Sequence, residues 1–351
     1  MNDKKTLLKE LKKIKCIVWD LDNTLWDGTL LEGDDVKLKT GVSEVIKTLD
    51  QRGILHSIAS KGNYNDAMLK LSEFQLDDLF LFPEIGWDSK SQSIAKIQKN
   101  LNIGMDTLIF IDDLSFELDE VKSVHPQVTC IKASQYLNLP SHHLLNPKFI
   151  TRDSSRRRLT YIEDQKRREE ERDFKGPRKE FLASLDIHIQ ISEAKDDDLK
   201  RAEELTVRTN QLNATGKTYS YDELKLLMDS KNHKLLICEM NDKYGAYGKI
   251  GLSVVEIFKD YFYIRLLLVS CRVMSIGVGT VLLSYVMHEA KKFGKRVKAD
   301  FRHTGRNRMM YITFKFANFK EILVDESGTI VLEKDLSSIQ EYPSYINLTI
   351  K

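Results

Sequence analysis

Short apolar runs alternate with amphipathic stretches from Ile14 to about Ile131. The runs KCIVWD, ILHSIAS, TLIFIDD and VTCIKA hold consecutive apolar residues, a pattern that predicts buried strands. The stretches VSEVIKTLDQRG, YNDAMLKLSEFQ and SQSIAKIQKNLN repeat apolar residues every three or four positions and predict helices. Such alternation predicts an α/β domain with a doubly wound parallel sheet and helices on both faces.

A second pattern begins at about Asp186. The strands predicted there are LDIHIQIS, HKLLICEM, GKIGLSVVEIF and YFYIRLLLVS, and the early helices are AEELTVRTNQL and YDELKLLM. The loop SIGVGT then leads into the amphipathic stretch VLLSYVMHEAKKF, followed by the strand KRVKADF and the helix NRMMYITFKF. Helices, an antiparallel meander and a strand–loop–helix unit together predict an α+β domain.

The segment between these patterns is densely charged with both signs. We expect domains at residues 14–140 and 186–351, joined by a charged, mostly solvated helical linker at 141–185. The run Arg156-Arg157-Arg158 would suit nucleic acid, but acidic residues interleave with the basic ones. We therefore expect a solvated helix and no nucleic-acid partner.

Composition narrows the class of protein. Among 351 residues, Lys+Arg total 54 and Asp+Glu total 52, which argues against a nucleic-acid binder held by bulk charge. No apolar run reaches the roughly 18 residues needed to span a membrane, and MNDKKTLLKELKKIK lacks the apolar region of a signal peptide. The four cysteines are scattered without metal-site spacing, so we expect a cytoplasmic protein with free thiols.

Polar residues follow three predicted strands of the first domain. The sequence DLDNT places Asp20 at a strand tip, where a carboxylate can attack phosphorus. Asp22 then lies close by and can serve as general acid and base. Phosphate beside carboxylates needs cations, which points to Lys90 and to a hard metal such as Mg²⁺. Further candidates for binding the phosphoryl group or the metal are Thr24, Ser60, Lys61, Asp112 and Asp113.

Each of these features alone is better explained as a turn or a helix cap. Taken in order, they resemble the haloacid dehalogenase (HAD) superfamily. That resemblance implies that Asp20 is the nucleophile and Asp22 the acid/base. It also implies that Ser60 and Lys90 hold the phosphoryl group and that the motif aspartates bind Mg²⁺. Only residues 24–40 separate the motif from the first long helix, so we expect no cap domain and an open site.

The Gly-containing loop of the second domain resembles that of GNAT acyltransferases. Gly277 and Gly279 match the glycine pair, and backbone N–H groups at a helix start can cradle phosphate or pantetheine. A tight turn is the alternative explanation. The family's Gln or Arg is replaced by Met274, which disfavours a coenzyme A pyrophosphate but not a carrier protein's phosphopantetheine arm.

Over most of its length the chain resembles the FkbH-like family. The matching stretches include IVWDLDNTLWDGTLLEG, IGWDSKSQSI, RAEELTVRTNQLNATG and LLLVSCRVMSIGVGT. The resemblance implies an enzyme that takes the glyceryl unit of 1,3-bisphosphoglycerate, removes phosphate and loads glycerate as a thioester onto an acyl carrier protein for polyketide or hybrid peptide biosynthesis. Some relatives carry Cys between the motif aspartates, where this chain has Leu21.

A thiol suits such acyl transfer, because acyl phosphates react readily with thiolates. Cys271 follows a strand beside Arg272 and ahead of the glycine loop, so it is our candidate for holding the acyl group; an inert thiol is the alternative. His303 is a candidate base, and Asn307 a candidate ligand-binding residue. The polar run 208–213 either binds glycerate hydroxyls or phosphate, or terminates a helix.

Two rival functions use the same residues. One is a phosphatase whose second domain only binds a partner protein. The other is a phosphatase combined with a coenzyme A-dependent acetyltransferase.

Overall fold

The computed structural model describes residues 14–351. The predicted amphipathic start of the chain therefore lies almost wholly outside the described residues. The chain divides into two compact units between Ile162 and Glu163. We call them the first and second units.

The first unit is built on a five-stranded parallel sheet with the strand order β5-β4-β1-β6-β7. A separate two-stranded ribbon, β2-β3, follows the first strand. The strands are β1 (Cys16–Trp19), β2 (Trp26–Asp27), β3 (Lys37–Leu38), β4 (Leu55–Lys61), β5 (Glu84–Gly86), β6 (Leu108–Asp112) and β7 (Thr129–Lys132).

Helices cover both faces of this sheet. They are α1 (Val42–Gln51), α2 (Tyr64–Glu73), α3 (Lys90–Leu101) and α4 (Ser115–Val124). Ile17 and Trp19 of β1 pack in the apolar cluster that holds α1 and α2, whereas Cys16 and Val18 pack in the cluster that holds α3 and α4. Successive side chains of a strand point to opposite faces, so the predicted doubly wound α/β architecture is confirmed.

Three helices follow in the segment that the sequence predicted to be a linker: α5 (Arg152–Ser155), α6 (Arg157–Asp173) and α7 (Arg178–Ser184). Helix α6 is not wholly solvated. Within the first unit, Arg157 donates to the carbonyl of Gly53. Within the second, the buried Arg167 pairs with Asp242 at 2.5 Å. Both buried arginines therefore bind groups of the protein itself.

The second unit contains an eight-stranded mixed sheet with the order β13-β14-β12-β11-β10-β9-β8-β15. Its strands are β8 (Ile187–Glu193), β9 (His233–Asp242), β10 (Gly245–Ile257), β11 (Tyr261–Val269), β12 (Arg296–Arg302), β13 (Lys320–Val324), β14 (Thr329–Lys334) and β15 (Ile346–Ile350). Its later helices are α8 (Asp196–Arg208), α9 (Tyr221–Met228), α10 (Val278–Lys292) and α11 (Arg308–Phe316). The α+β architecture predicted for this part is confirmed.

Two parallel neighbours, β11 and β12, separate towards their carboxyl ends. Their pairing runs only from Tyr261 opposite Arg296 to Ile264 opposite Ala299. Beyond that point the segment 212–214 lies between them. Its Ala214 donates to Leu267 of β11 at 2.9 Å and accepts from Arg302 of β12 at 3.0 Å. This segment belongs to the polar run singled out in the sequence.

The longest apolar helix of the second unit, α10, is buried against the sheet. Among residues 14–351, no helix combines the length and apolar character needed to cross a membrane.

Candidate phosphoryl-transfer site

The carboxyl ends of three neighbouring strands bring the predicted site residues together. In the parallel register, Trp19 of β1 lies beside Ile58 of β4 and Ile111 of β6. Asp20, Ser60 and Asp112 follow these positions, so all three lie at one edge of the sheet. In open α/β sheets this edge is where ligands bind.

Lys90, the first residue of α3, supplies a buried cation at this edge. Its Nζ donates to Asp20 Oδ1 and, at 2.8 Å, to the carbonyl of Ala59. It also lies 3.3 Å from Asp112 Oδ2. Burial alone would lower the pKa of Lys90, but the charges of Asp20 and Asp112 more than offset this effect. The pKa of Lys90 is therefore raised, and the side chain stays charged.

Asp112 is the most deeply buried carboxylate of the site, with 1% of its surface exposed. Its Oδ1 accepts a hydrogen bond from the Leu114 N–H at 2.8 Å, whereas Oδ2 has the ion pair with Lys90 but no well-aligned hydrogen bond. Burial, and then the nearby charge of Asp20, raise the pKa of Asp112 to about 7 against the opposing effect of Lys90. The site therefore holds more negative charge than its own cation neutralises.

The described carboxylates Asp20, Asp112 and Asp113 offer oxygens that all lie within 4.8 Å of one another. Burial and the charge of Asp20 also raise the pKa of Asp113. Hard cations such as Mg²⁺ take carboxylate oxygens as ligands, and the poorly satisfied Asp112 Oδ2 is such an oxygen. The donor set therefore fits the predicted Mg²⁺.

Asp22, which the sequence also suggested as a metal ligand, is absent from this group of described carboxylates. Its Oδ1 instead accepts hydrogen bonds from the Trp26 indole at 2.7 Å and from the Leu30 N–H at 3.1 Å. A small cavity of about 20 Å³ is lined by Asp22, Ser60 and Lys61. Asp22 is thus oriented beside the predicted phosphate-binding residues, as an acid/base role requires.

Two other predicted phosphate-binding residues have structural partners. The buried Thr24 accepts a hydrogen bond from the Asp113 N–H at 3.1 Å and so orders the turn after β6. Lys61, at the end of β4, pairs with Glu117 of α4 at 2.6 Å, although about half of its side chain remains exposed. Thr24 therefore orders the turn that carries Asp112 and Asp113, and a phosphate would compete with Glu117 for Lys61.

Supporting residues at this site could not be found by sequence reasoning. Glu120 of α4 accepts from the backbone N–H and the hydroxyl of Ser91, at the start of α3. Glu117 holds Lys61 in the same way. These contacts join positions far apart in the chain, and no local spacing signals them. Helix α4 therefore fixes two of the segments that carry cations to the site.

The four thiols, two in each unit, differ in burial. Cys16 and Cys238 are fully buried, and burial raises the pKa of both thiols. Cys130 and Cys271 are partly exposed. Cys271 lies just past the end of β11, as predicted, and begins a short 3₁₀ helix that the sequence did not predict. Of the two partly exposed thiols, only Cys271 belongs to the second unit.

The neighbours predicted for Cys271 are only partly assembled around it. Arg272 donates to Ser270 at 3.3 Å. Gly277 is the N-cap of α10 with φ +90°, which favours glycine, and Gly279 lies inside that helix. His303 packs its ring against Phe301 and Tyr311, and the described residues include no hydrogen bond between His303 and Cys271. Its role as a base for Cys271 remains a prediction.

Asn307 is buried and its side chain is fully engaged. Its amide N–H group donates to the carbonyls of Asn213, Ala214 and Arg302, and its oxygen accepts from the Thr304 N–H at 3.0 Å. This geometry favours a clamp that holds the inserted segment between β11 and β12. It leaves no free polar group for the ligand-binding role suggested by the sequence.

Comparisons with known proteins found no matching family model and no matching curated protein. Solved structures do match. One is the N-terminal part of a Bacteroides fragilis protein containing a phosphatase domain complexed with Mg, with 29% identity over 38% of this chain and 40% of that one, and a TM-score of 0.30.

The other matches include acetyltransferases, each aligned over nearly its whole length. The ribosomal-protein-S18-alanine N-acetyltransferase from Escherichia coli is 15% identical over 44% of this chain and 97% of its own, with a TM-score of 0.34. An N-acetyltransferase from Staphylococcus aureus is 18% identical over 42% of this chain and 99% of its own, also with a TM-score of 0.34.

Proposed function

We propose that the first unit is a Mg²⁺-dependent phosphatase and that the second unit transfers an acyl group. The observation that carries the first half is the convergence of Asp20, Lys90, Asp112 and Asp113 at one strand edge. Buried charges of both signs at a strand edge serve no packing purpose, and they are the groups that phosphoryl transfer requires.

In the proposed reaction the Asp20 carboxylate attacks phosphorus, and the bond from phosphorus to the leaving oxygen breaks. Asp22 gives its proton to that oxygen. Asp22 then takes a proton from the water that attacks the aspartyl phosphate, so inorganic phosphate leaves and Asp20 is regenerated. Lys90 neutralises charge on Asp20 and on the incoming phosphoryl group. Mg²⁺ bound at Asp20, Asp112 and Asp113 would supply the remaining positive charge.

The finer proposal is glyceryl transfer from 1,3-bisphosphoglycerate to an acyl carrier protein. Its support is the FkbH-like sequence resemblance. The Cys271 thiolate would attack the acyl-phosphate carbonyl, with loss of phosphate, to form a thioester. The thiol of the carrier's phosphopantetheine arm would then take the acyl group and release Cys271. The phosphate ester of the same glyceryl unit would be the substrate of Asp20.

Exposed aromatic residues support a protein-borne substrate. Trp87 follows β5 and is 74% exposed, and Phe116 follows β6 and is 75% exposed. Both therefore extend from the strand edge that carries the candidate site. Large apolar side chains left in water mark surfaces that bind other proteins, and an uncapped site would admit a substrate tethered to one.

Intact-protein mass spectrometry after incubation with Mg²⁺ and 1,3-bisphosphoglycerate tests the finer proposal. We expect a glyceryl or phosphoglyceryl adduct that maps to Cys271. Cys271→Ala should abolish the adduct, whereas Cys130→Ala, which removes the other partly exposed thiol, should retain it. Phosphate release without an adduct would instead favour a phosphatase joined to a binding module. Turnover of acetyl coenzyme A with an amine would favour the acetyltransferase alternative.

A further inference from the structure

A polar cavity of about 570 Å³ lies on the sheet of the second unit. Its floor is formed by Glu256, Arg265, Asp300 and Arg302, and the loop that contains Lys217 forms one wall. None of these residues was singled out in the sequence. Cavities of this size commonly bind small molecules, with a few charged groups fixing the orientation of the ligand.

A β-bulge directs Arg265 into this cavity. Along the β10–β11 pair, Val254 lies opposite Leu266 but Val255 lies opposite Ile264, so Arg265 is the extra residue of β11. Bulges of this kind re-aim a side chain and are common beside functional sites. The backbone conformation of β11 therefore sets the direction of the Arg265 side chain.

Arg265 is held rigidly. Its Nε donates to Glu256 at 2.8 Å, one Nη lies 3.3 Å from Asp300, and the guanidinium stacks 3.8 Å from the centre of the Tyr263 ring. The Tyr263 hydroxyl in turn donates to Asp300 at 2.8 Å. A guanidinium has five N–H donors, and these ion pairs engage two of them. The guanidinium is thus held in one orientation, with further N–H donors left for a ligand.

The other two cations of the cavity, Lys217 and Arg302, have their nearest carboxylates only at longer range, since Lys217 acts on Glu223 and Arg302 on Asp325. Lys217 lies over the Tyr219 ring at 4.3 Å. Among the described residues, neither Lys217 nor Arg302 makes an ion pair, whereas Arg265 is balanced by two carboxylates. The cavity lining therefore carries three cations, Lys217, Arg265 and Arg302, beside two carboxylates that can accept hydrogen bonds from hydroxyl groups.

The loop that carries Lys217 is shaped by the buried Asn213. The side-chain Oδ1 of Asn213 accepts from the N–H groups of Thr215 at 3.1 Å and Gly216 at 2.9 Å, and its Nδ2 donates to the Lys217 carbonyl at 3.2 Å. Gly216 has φ +69°, a conformation that favours glycine. Lys217 is consequently presented by an ordered turn.

We propose that this cavity is a binding site for a small hydroxylated anion. Lys217 and Arg302 bind the carboxylate or phosphate group, while Glu256 and Asp300 accept hydrogen bonds from the hydroxyl groups. An anion alone would not call for two carboxylates in the cavity, and a neutral polyol would not call for two cations that make no ion pair among the described residues. The site does not depend on the phosphatase or acyl-transfer proposals.

Isothermal titration of the full chain in EDTA tests this site with D-glycerate, glycerol 3-phosphate and neutral glycerol. We expect binding of at least one anion and none of glycerol; a preference for either anion identifies carboxylate or phosphate as the bound group. Lys217→Gln and Arg302→Gln should each weaken binding about tenfold, the loss of one charge-assisted hydrogen bond. Both side chains are exposed, so the variants should fold.

Two controls locate the binding. Lys292→Gln removes an exposed charge from α10, on the opposite face of the sheet, and should leave the affinity within about twofold. Asp20→Asn should leave it unchanged as well. Three results would overturn the proposal. They are absence of binding up to about 10 mM, wild-type affinity in the Lys217 and Arg302 variants, and loss of binding in Asp20→Asn. Phosphate release measured on the same preparations tests the phosphatase separately.

Discussion

At the scale of single residues, the candidate site concentrates charge that water does not screen. Lys90 contacts Asp20 and lies 3.3 Å from Asp112, yet the pKa of Asp112 is still raised to about 7. The surroundings therefore oppose the ionised form of Asp112. A bound cation would remove that opposition, which ties the stability of the first unit to metal binding.

Asp112→Asn should make the metal-free protein more stable. Replacing the carboxylate by an amide removes the cost of burying its charge and its repulsion with Asp20, and keeps an acceptor for the Leu114 N–H, for a gain of up to about 4 kcal/mol at pH 8. Thermal unfolding in EDTA measures this gain. Addition of Mg²⁺ should then stabilise the wild type but not the variant.

Asp27→Asn is the matched control, because Asp27 is exposed and pairs only with Lys39 among the described residues. It should change neither measurement. The metal-site account fails if Asp112→Asn is the less stable protein in EDTA, or if it keeps the full response to Mg²⁺.

His56 should make stability fall in mild acid. Burial lowers the pKa of His56 to about 3, below the value of about 6.5 for an unfolded chain. Both states are neutral above pH 6.5, but below it only the unfolded state takes up the proton. Stability should therefore fall by about 2 kcal/mol between pH 6.5 and pH 5 from this residue.

Urea unfolding of wild type and His56→Gln at pH 7, 6 and 5 isolates this effect. Glutamine can still accept the Trp19 indole hydrogen bond, which spans 3.0 Å in the wild type. The pH dependence should be shallower in the variant by about 2 kcal/mol over this range. Parallel curves for the two proteins would show that His56 becomes protonated in the native state.

The sequence predicted the residues of the candidate site better than their partners. Asp20 and Asp112 follow apolar strands, and that position carries a local signal. Glu120, by contrast, reaches the start of α3 only because α3 and α4 pack side by side on one face of the sheet. Asn307 was misassigned for a related reason. A polar residue after a strand can bind a ligand or hold the backbone, and only its contacts distinguish the two roles.

At the scale of elements, the charged segment after the first sheet is fixed by buried arginines. The side chains of Arg167 in α6 and Asp242 at the end of β9 are 5% and 0% exposed and form two hydrogen bonds, at 2.5 Å and 2.8 Å. Asp242 also accepts from the Tyr244 N–H. The sequence predicted a mostly solvated helix, but the ion pair between Arg167 and Asp242 holds α6 against β9.

Arg167→Met should destabilise the second unit by about 3 to 5 kcal/mol, because it leaves the buried charge of Asp242 without its partner. Urea unfolding followed by circular dichroism measures the change. Arg168→Met is the control: Arg168 is about half exposed and pairs with Asp164 one turn away, so its loss should cost about 0.5 kcal/mol. Equal effects of the two substitutions would contradict the anchoring role of Arg167.

Many elements followed from periodicity, and two of the missed strands, β5 and β13, share a physical cause. Strand β5 has three residues and no fully buried side chain, and β13 is exposed at all five positions. An edge strand without a buried face carries no alternation of apolar and polar residues. The insertion of segment 212–214 between β11 and β12 was also beyond prediction, because it depends on contacts between distant parts of the chain.

At the scale of the whole molecule, each unit has its own buried apolar clusters and its own candidate chemistry. The first unit holds the Asp20 site, and the second holds Cys271 and the polar cavity. Separate cores imply that a local substitution in one unit leaves the other folded.

Cys271→Ala should therefore leave phosphate release from a simple phosphate monoester within about twofold of the wild-type rate. We expect this hydrolysis to depend on the carboxylates of the first unit. A colorimetric phosphate assay at saturating Mg²⁺ measures the rate, with Cys130→Ala assayed beside it. A large loss of monoester hydrolysis in Cys271→Ala alone would show that the two activities are not separable.

The most direct test of the central claim is Mg²⁺-dependent hydrolysis of p-nitrophenyl phosphate by wild type, Asp20→Asn and Asp27→Asn. Asparagine cannot form the aspartyl phosphate, so we predict that Asp20→Asn loses at least about a thousandfold in rate. Asp27→Asn should match the wild type. Hydrolysis by Asp20→Asn within about tenfold of the wild-type rate would contradict the assignment of Asp20 as the group that accepts the phosphoryl group.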